Sequence, residues 1–168
     1  QAVQLFGMPE AVFADIATLR TGGKVDDYFI IHLMKPARMP EVKITLKASY
    51  LMCENEPRFV LHGTEGSYVK YGLDPQEADL TKGMLPDTPH WGEEDESQWG
   101  ILHTETDGNV VRKPYPTLPG NYAAFYENIY QHIRNGAVLQ SDACGVLGVI
   151  RLIEAAWESS RTGNVIKL

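Results

Sequence analysis

Cysteine, basic charge and long apolar runs are scarce in this chain, and each scarcity removes a class of function. The two cysteines, Cys53 and Cys144, form no Cys-x-x-Cys or Cys/His spacing in the 168 residues. That excludes a disulfide scaffold and a structural zinc site. Cys144 falls in an apolar stretch and is expected in the core as a small side chain. Cys53, near a strand end, is expected at the surface. Lysine and arginine total 15 against 22 carboxylates, a net charge of −7. Binding to phosphates needs a basic surface, so nucleic acid and an anionic membrane surface are excluded as partners. No apolar run approaches the roughly 20 residues that cross a bilayer.

Self-contained catalytic motifs are missing as well. No G-x-G-x-x-G follows a strand and opens a helix, and Gly63, Gly66, Gly72, Gly145 and Gly148 stand in the wrong context to cradle a pyrophosphate. There is no P-loop, no G-x-S-x-G and no H-E-x-x-H. His32, His62, His90, His103 and His132 lack metal-ligand spacing. The acidic run 93–96 lacks the alternating oxygen pattern of a calcium loop and reads as a solvated loop. The sequence opens without Met, a basic segment or a cleavage site. QAVQLFG reads as the tail of a helix stopped at Gly7. The chain is therefore expected to be a piece of a longer polypeptide.

What is present is a foldable domain. Hydrophobic residues make up 43% and charged residues 22%, which suits one domain with a real core over 1–168. Residues 11–19 and 25–33 read as strands around the Thr21-Gly22-Gly23 turn. Residues 41–50 alternate strictly: Val42, Ile44, Leu46, Ala48 and Tyr50 face one way, with Lys43, Thr45, Lys47 and Ser49 opposite. In RFVLHGTEGSYVKY, Gly63 and Gly66 bracket a hairpin turn, and this hairpin is expected to extend the same sheet. A long connection over 72–97 follows. Another hairpin turns at Asp107-Gly108.

The last third changes period. Tyr122, Phe125, Tyr126, Ile129 and Ile133 form one helical stripe ended by Asn135-Gly136, with Tyr126 and Tyr130 assigned to packing. Ser141 is the expected N-cap of a second helix, with Val146, Val149, Ile150, Ile153 and Trp157 as its buried face. A short strand closes the chain at 164–168. Strands followed by helices predict an α+β fold: an open, mainly antiparallel sheet with helices packed on one face.

Several of these stretches carry a resemblance. VDDYFIIHL, RFVLHGTEGSYVKYGLDPQEADL, HWG and VIRLIEAAWESSRTGNVIKL resemble the C-terminal domain of the glucose-fructose oxidoreductase / inositol dehydrogenase (Gfo/Idh/MocA) family across essentially the whole chain. KYGLDPQE followed by a Trp-Gly loop looks most like the NADP-linked scyllo-inositol dehydrogenase-like members. The resemblance implies a C-terminal fold like that of glyceraldehyde-3-phosphate dehydrogenase. It also implies a separate N-terminal Rossmann domain that binds NADP or NAD, a Glu-Lys-Pro motif and an Asp-x-x-x-His motif. None of these maps onto a position in this sequence, so no catalytic, cofactor-binding or metal residue is expected within it, and no cofactor is expected to bind the fragment. The implied partners are a small polyol or sugar and further copies of the chain, associating through the sheet face. The implied setting is cytoplasmic.

A polyol offers only hydroxyls, so its pocket needs side-chain donors and acceptors. The resemblance points to Arg58, after the 52–57 loop; the alternative is a surface pair with Glu54 or Glu56. Lys70 and Tyr71 open the long loop, where ordinary strand-end packing would serve equally. Asp74, Gln76 and Glu77 could bind hydroxyls, but D-P-Q-E is also a helix start with Asp74 as N-cap and Glu77 three residues on. Trp91 could stack on a ring or anchor its loop. Tyr122 could reach a cleft or begin the packed stripe. The rival reading of the parent protein is a non-catalytic binding or dimerisation module.

Overall fold

The computed structural model describes residues 1–168 as two compact units, residues 1–53 with 140–168 and residues 54–139. The α+β class holds, but the strands divide into two four-stranded antiparallel sheets. The expected continuation of one sheet through the 58–71 hairpin is therefore corrected, since that hairpin belongs to the second sheet.

The first unit begins with α1 (Ala2–Phe6), closed by Gly7 at φ 82°. Its strands are β1 (Pro9–Ala17), β2 (Tyr28–Pro36) and β3 (Ile44–Ser49). They pair in register as Val12 with Leu33 and Leu33 with Ile44, so one row of each strand shares a face. Val12, Ala14, Leu33 and Ile44 form the core on that face. The turn between β1 and β2 is tied down by Asp27, whose carboxylate accepts from the backbone N–H of Leu19 (2.7 Å) and Arg20 (3.1 Å). Those bonds, the Leu19 one above all, hold its carboxyl below the ordinary value.

The α-helix over Ala143–Thr162 packs on this core, and β8 (Ile166–Lys167) pairs with Ala11 and Val12 of β1. This helix is the last in chain order and is labelled α4 below; the elements between β3 and α4 belong to the second unit. Since β8 is only two residues long, it leaves the rest of the β1 edge unpaired. Serines from the end of α4 take its place. Ala14 N–H donates to Ser159 Oγ (3.0 Å), and Ile16 N–H donates to Ser160 Oγ (2.9 Å).

This geometry corrects three expectations for α4. Its N-cap is Asp142, which accepts from Gly145 N–H at 2.7 Å, and not Ser141. The positive end of the helix dipole favours an anionic cap over a hydroxyl one residue earlier. Its buried residues are Leu152, Ala155, Ala156 and Ser159, whereas Val146, Val149, Ile150, Ile153 and Trp157 are exposed. Small residues win the sheet side because they let the helix approach closely enough for the serines to reach β1. Cys144 consequently lies on the surface, as does Cys53.

The second unit holds β4 (Phe59–His62), β5 (Gly66–Lys70), β6 (Gly100–Thr106) and β7 (Asn109–Tyr115) in that spatial order. Gly100 has no room for a side chain, because a Cβ there would lie 2.2 Å from the Tyr68 ring. The long connection contains α2 (Pro75–Thr81) and a 3₁₀ turn at Glu96–Gln98. The helix α3 (Ala123–Asn135) ends at Gly136 in the left-handed region, as its sequence predicts. Its apolar stripe is not buried: Phe125, Tyr126, Tyr130 and Ile133 are all exposed, so the assignment of Tyr126 and Tyr130 to packing is corrected. A helical period shows that apolar residues share a face, but not what covers the face.

Candidate functional site

Arg58, Lys70, Tyr71, Asp74, Trp91 and Tyr122, the expected substrate-binding residues, all lie in the second unit, as do Gln76 and Glu77. The long connection between β5 and β6 organises most of them into two polar clusters.

The first cluster is centred on Lys70, at the end of β5. Tyr68 and Lys70 share a face of the strand, and that face is covered by the following loop, which leaves Lys70 buried. Its ammonium donates to the carbonyls of Tyr71 (2.8 Å) and Gln98 (2.7 Å) and to Glu94 Oε1 (2.6 Å). Three acceptors use all three of its N–H groups. The Glu94 side chain is only 7% exposed, and its second oxygen is buried without a hydrogen-bond partner. Trp99 covers the same turn, its indole N–H donating to the Glu94 carbonyl at 3.1 Å. Glu94 thus departs from the reading of 93–96 as a solvated loop: burial of Lys70 requires an anion, and the acidic run supplies it. Asp95 next to it accepts from the hydroxyl and backbone N–H of Ser97, which lowers its pKa, the hydroxyl being the larger cause.

The second cluster surrounds Gln76, which has no exposed surface. Asp74 is the N-cap of α2 and accepts from Gln76 N–H at 3.0 Å. The Gln76 amide nitrogen donates to both Asp74 oxygens, at 3.0 and 3.1 Å. Its Oε1 accepts from the Trp91 indole N–H (2.8 Å) and from Tyr122 N–H (2.9 Å). The amide orientation follows from chemistry: a carboxylate only accepts, and an indole and a backbone N–H only donate. Backbone contact reinforces the clasp, with Gly120 N–H donating to Gly92 O at 3.0 Å.

The structure therefore joins Asp74, Trp91 and Tyr122 through Gln76, and joins Lys70 and Tyr71 through the Lys70 ammonium. Arg58 stands at the head of β4, exposed, with its guanidinium 5.9 Å from the centre of the Phe59 ring. Tyr71 is 52% and Tyr122 40% exposed, so both phenols are available to a ligand. Lys70 and Gln76 are not, because their polar atoms are spent internally. The sequence signal for Glu94 was the lysine itself, placed on the strand face that carries Tyr68. The sequence offers Gln76, with Asp74 and Glu77, only as a hydroxyl ligand; its burial has no comparable signal, since Trp91 and Tyr122 come from 15 and 46 residues away. No group of three His, Cys, Asp or Glu side chains is placed to hold a metal ion.

A family model described as the oxidoreductase family, C-terminal alpha/beta domain, matches residues 1–168. The chain belongs to the Gfo/Idh/MocA oxidoreductase family. It is 34% identical over 168 residues to scyllo-inositol 2-dehydrogenase (NADP(+)) of Bacillus subtilis, covering 100% of this chain and 46% of that protein. An uncharacterized oxidoreductase of Escherichia coli is 35% identical over 161 residues, covering 96% of this chain and 45% of its own. Among solved structures, an oxidoreductase crystal structure from Bacteroides fragilis superposes with a TM-score of 0.94 at 60% identity, over 99% of this chain and 49% of that one. The chain spans about half the length of the relatives it matches. No helix is long and apolar enough to cross a membrane.

Proposed function

We propose that this chain is the substrate-binding and oligomerisation half of an NAD(P)-dependent oxidoreductase acting on a hydroxyl of a sugar or cyclitol. The observation that carries the reading is the 34% identity, over the full chain, to a protein named scyllo-inositol 2-dehydrogenase (NADP(+)). The nicotinamide of the parent protein would supply a hydride acceptor for such an oxidation. The residues here do not fit a dinucleotide. The N-terminus of α4, the longest helix, is capped by the Asp142 carboxylate, which would repel a pyrophosphate, and Gly92 and Gly120 pack against each other with no room between them. The cofactor, NADP or NAD, is assigned to the half of the relatives' length outside this match.

This chain's part is to bind and orient the polyol. Tyr71, Tyr122 and Arg58 are exposed hydroxyl-binding groups, Tyr71 tied to the Lys70 cluster and Tyr122 to the Gln76 cluster. Self-association is assigned to the sheet face opposite the α4 core, which mixes Phe13, Tyr28 and Ile30 with His32. The setting is assigned to the cytoplasm. The alternative, a non-catalytic binding or dimerisation module, draws on the exposed apolar face of α4 from Val146 to Trp157.

The test is a spectrophotometric screen of the full-length protein with NAD and NADP against inositols and aldoses. Reduction of one nucleotide by a polyol is the expected result. Silence across the panel, together with loss of the catalytic Lys and His upstream, would move the assignment to the binding module. Light scattering of the same protein checks the oligomer, and a monomer at high concentration contradicts that part.

A further inference from the structure

Gln76 has an unusual position for a polar residue. It is fully buried, both polar atoms of its amide are hydrogen-bonded, and its partners belong to three separate segments, 74–76, 91–92 and 120–122. An apolar core would hold a helix start against two loops without the cost of desolvating an amide, an indole N–H and a carboxylate. What the polar arrangement adds is direction. Each bond fixes a particular atom of a particular loop, where apolar contact would tolerate sliding.

The clasp has no slack. A Cβ on Gly120 would lie 2.1 Å from Gln76 Nε2 and 2.2 Å from Asp74 Oδ2, and one on Gly92 would lie 2.3 Å from Gly120 O. Gly92 also has φ +73°, a conformation that side chains resist. Two residues earlier His90 adopts φ 62° without being glycine, a local strain that the surrounding bonds must hold. The strain and the bonds converge on one outcome: the Trp91 ring and the start of α3, with its partly exposed Tyr122, keep one mutual arrangement.

We propose that Gln76 is a positioning residue for the polyol site, setting Trp91 and Tyr122 as one wall of it while touching no substrate. The proposal rests on the polyol reading above. It assigns to Gln76 a role in substrate affinity that its burial would otherwise hide.

The test uses the full-length protein and the polyol that the wild type oxidises, with Gln76→Leu and Gln76→Glu. Gln76→Leu is expected to raise KM at least tenfold while kcat stays within threefold. Gln76→Glu keeps the shape but sets a second carboxylate about 3 Å from Asp74, an ordinary hydrogen-bond distance. Tyr122 on these segments, with His90 and Glu93 flanking 91–92 and Glu77 next to Gln76 on α2, are the other titratable side chains nearby. At neutral pH its KM is expected to rise as well. As pH is lowered, the introduced carboxyl takes up a proton and regains a donor toward Asp74, and KM is expected to return toward the wild-type value at the same pH. A merely structural role would lower the melting temperature of both variants but leave the KM of the folded enzyme and its pH profile unchanged, which overturns the proposal. A second readout is acrylamide quenching of Trp91 after every other tryptophan of the protein, Trp99 and Trp157 among them, is replaced by Phe. Quenching is expected to rise at least twofold in Gln76→Leu, and no change also overturns the proposal. A wild type that oxidises no polyol overturns the polyol reading itself, and this role with it.

Discussion

Replacing Lys70 by Met should destabilise the second unit far more than a surface lysine could. The ammonium makes three hydrogen bonds of 2.6–2.8 Å, and the pair is sealed from water, with 10% of the Lys70 side chain and 7% of the Glu94 side chain exposed. Met matches the volume of the lysine stem, so packing is largely retained. What remains is a buried carboxylate that already has one oxygen without a partner, together with two carbonyls that lose a donor. Removing one member of a buried pair costs about 3–5 kcal/mol, against about 0–1 kcal/mol for an exposed one. The double variant Lys70→Met with Glu94→Leu removes both charges and should recover most of that loss, because the pair's attraction roughly balances its desolvation. Urea unfolding followed by tryptophan emission reads the right region, since Trp91 and Trp99 both lie in this unit and the Trp99 indole is bonded to the Glu94 carbonyl. A loss under about 1 kcal/mol for Lys70→Met would show that the pair behaves as an exposed one. A double variant no more stable than Lys70→Met would show that the charge of Glu94 is not what the lysine compensates.

Two predictions concern the first unit. Ser159→Ala should cost about 1–3 kcal/mol in chemical denaturation, because it leaves the buried Ala14 N–H without an acceptor and the Asn164 carbonyl without its 2.6 Å donor. A loss within about 0.5 kcal/mol, typical of surface changes, would show that the serine does not substitute for a strand there. Asp27 has a folded-state pKa below its ordinary 3.8, chiefly through the Leu19 N–H. Its contribution is therefore full above the ordinary value and is lost as pH falls below it toward the folded-state value. The stability gap between wild type and Asp27→Asn should be constant near neutrality and narrow below about pH 4; a gap independent of pH down to acid unfolding would refute the assignment.

Most strands and turns and the ends of α1, α2 and α3 follow from local chemistry and are legible in the chain itself. The exceptions are the α4 cap, Asp142 in place of Ser141, and β2, which runs over Tyr28–Pro36 and not 25–33 because Asp27 is drawn into the turn. The alternation over 41–50 places Ile44 and Leu46 on the core side of β3, and Asn135-Gly136 stops α3 at the residue expected. D-P-Q-E starts a helix with Asp74 as its cap because proline and a carboxylate suit a first turn wherever it lies. The family is legible too, because the matching segments run along the whole sequence. What the sequence by itself did not determine is partnership across distance. Apolar periodicity placed Val146, Ile150 and Trp157 on one face of α4. Only packing shows that the small face of Leu152, Ala155 and Ser159 lies on the sheet. Composition placed an acidic run at 93–96. Only the fold selects Glu94 for Lys70, because a buried ammonium accepts whichever carboxylate the loop geometry delivers. Likewise Gln76 is one amide among many in the sequence. It joins Asp74, Trp91 and Tyr122 because tertiary structure brings three separate segments within hydrogen-bond length, a condition that no local pattern encodes.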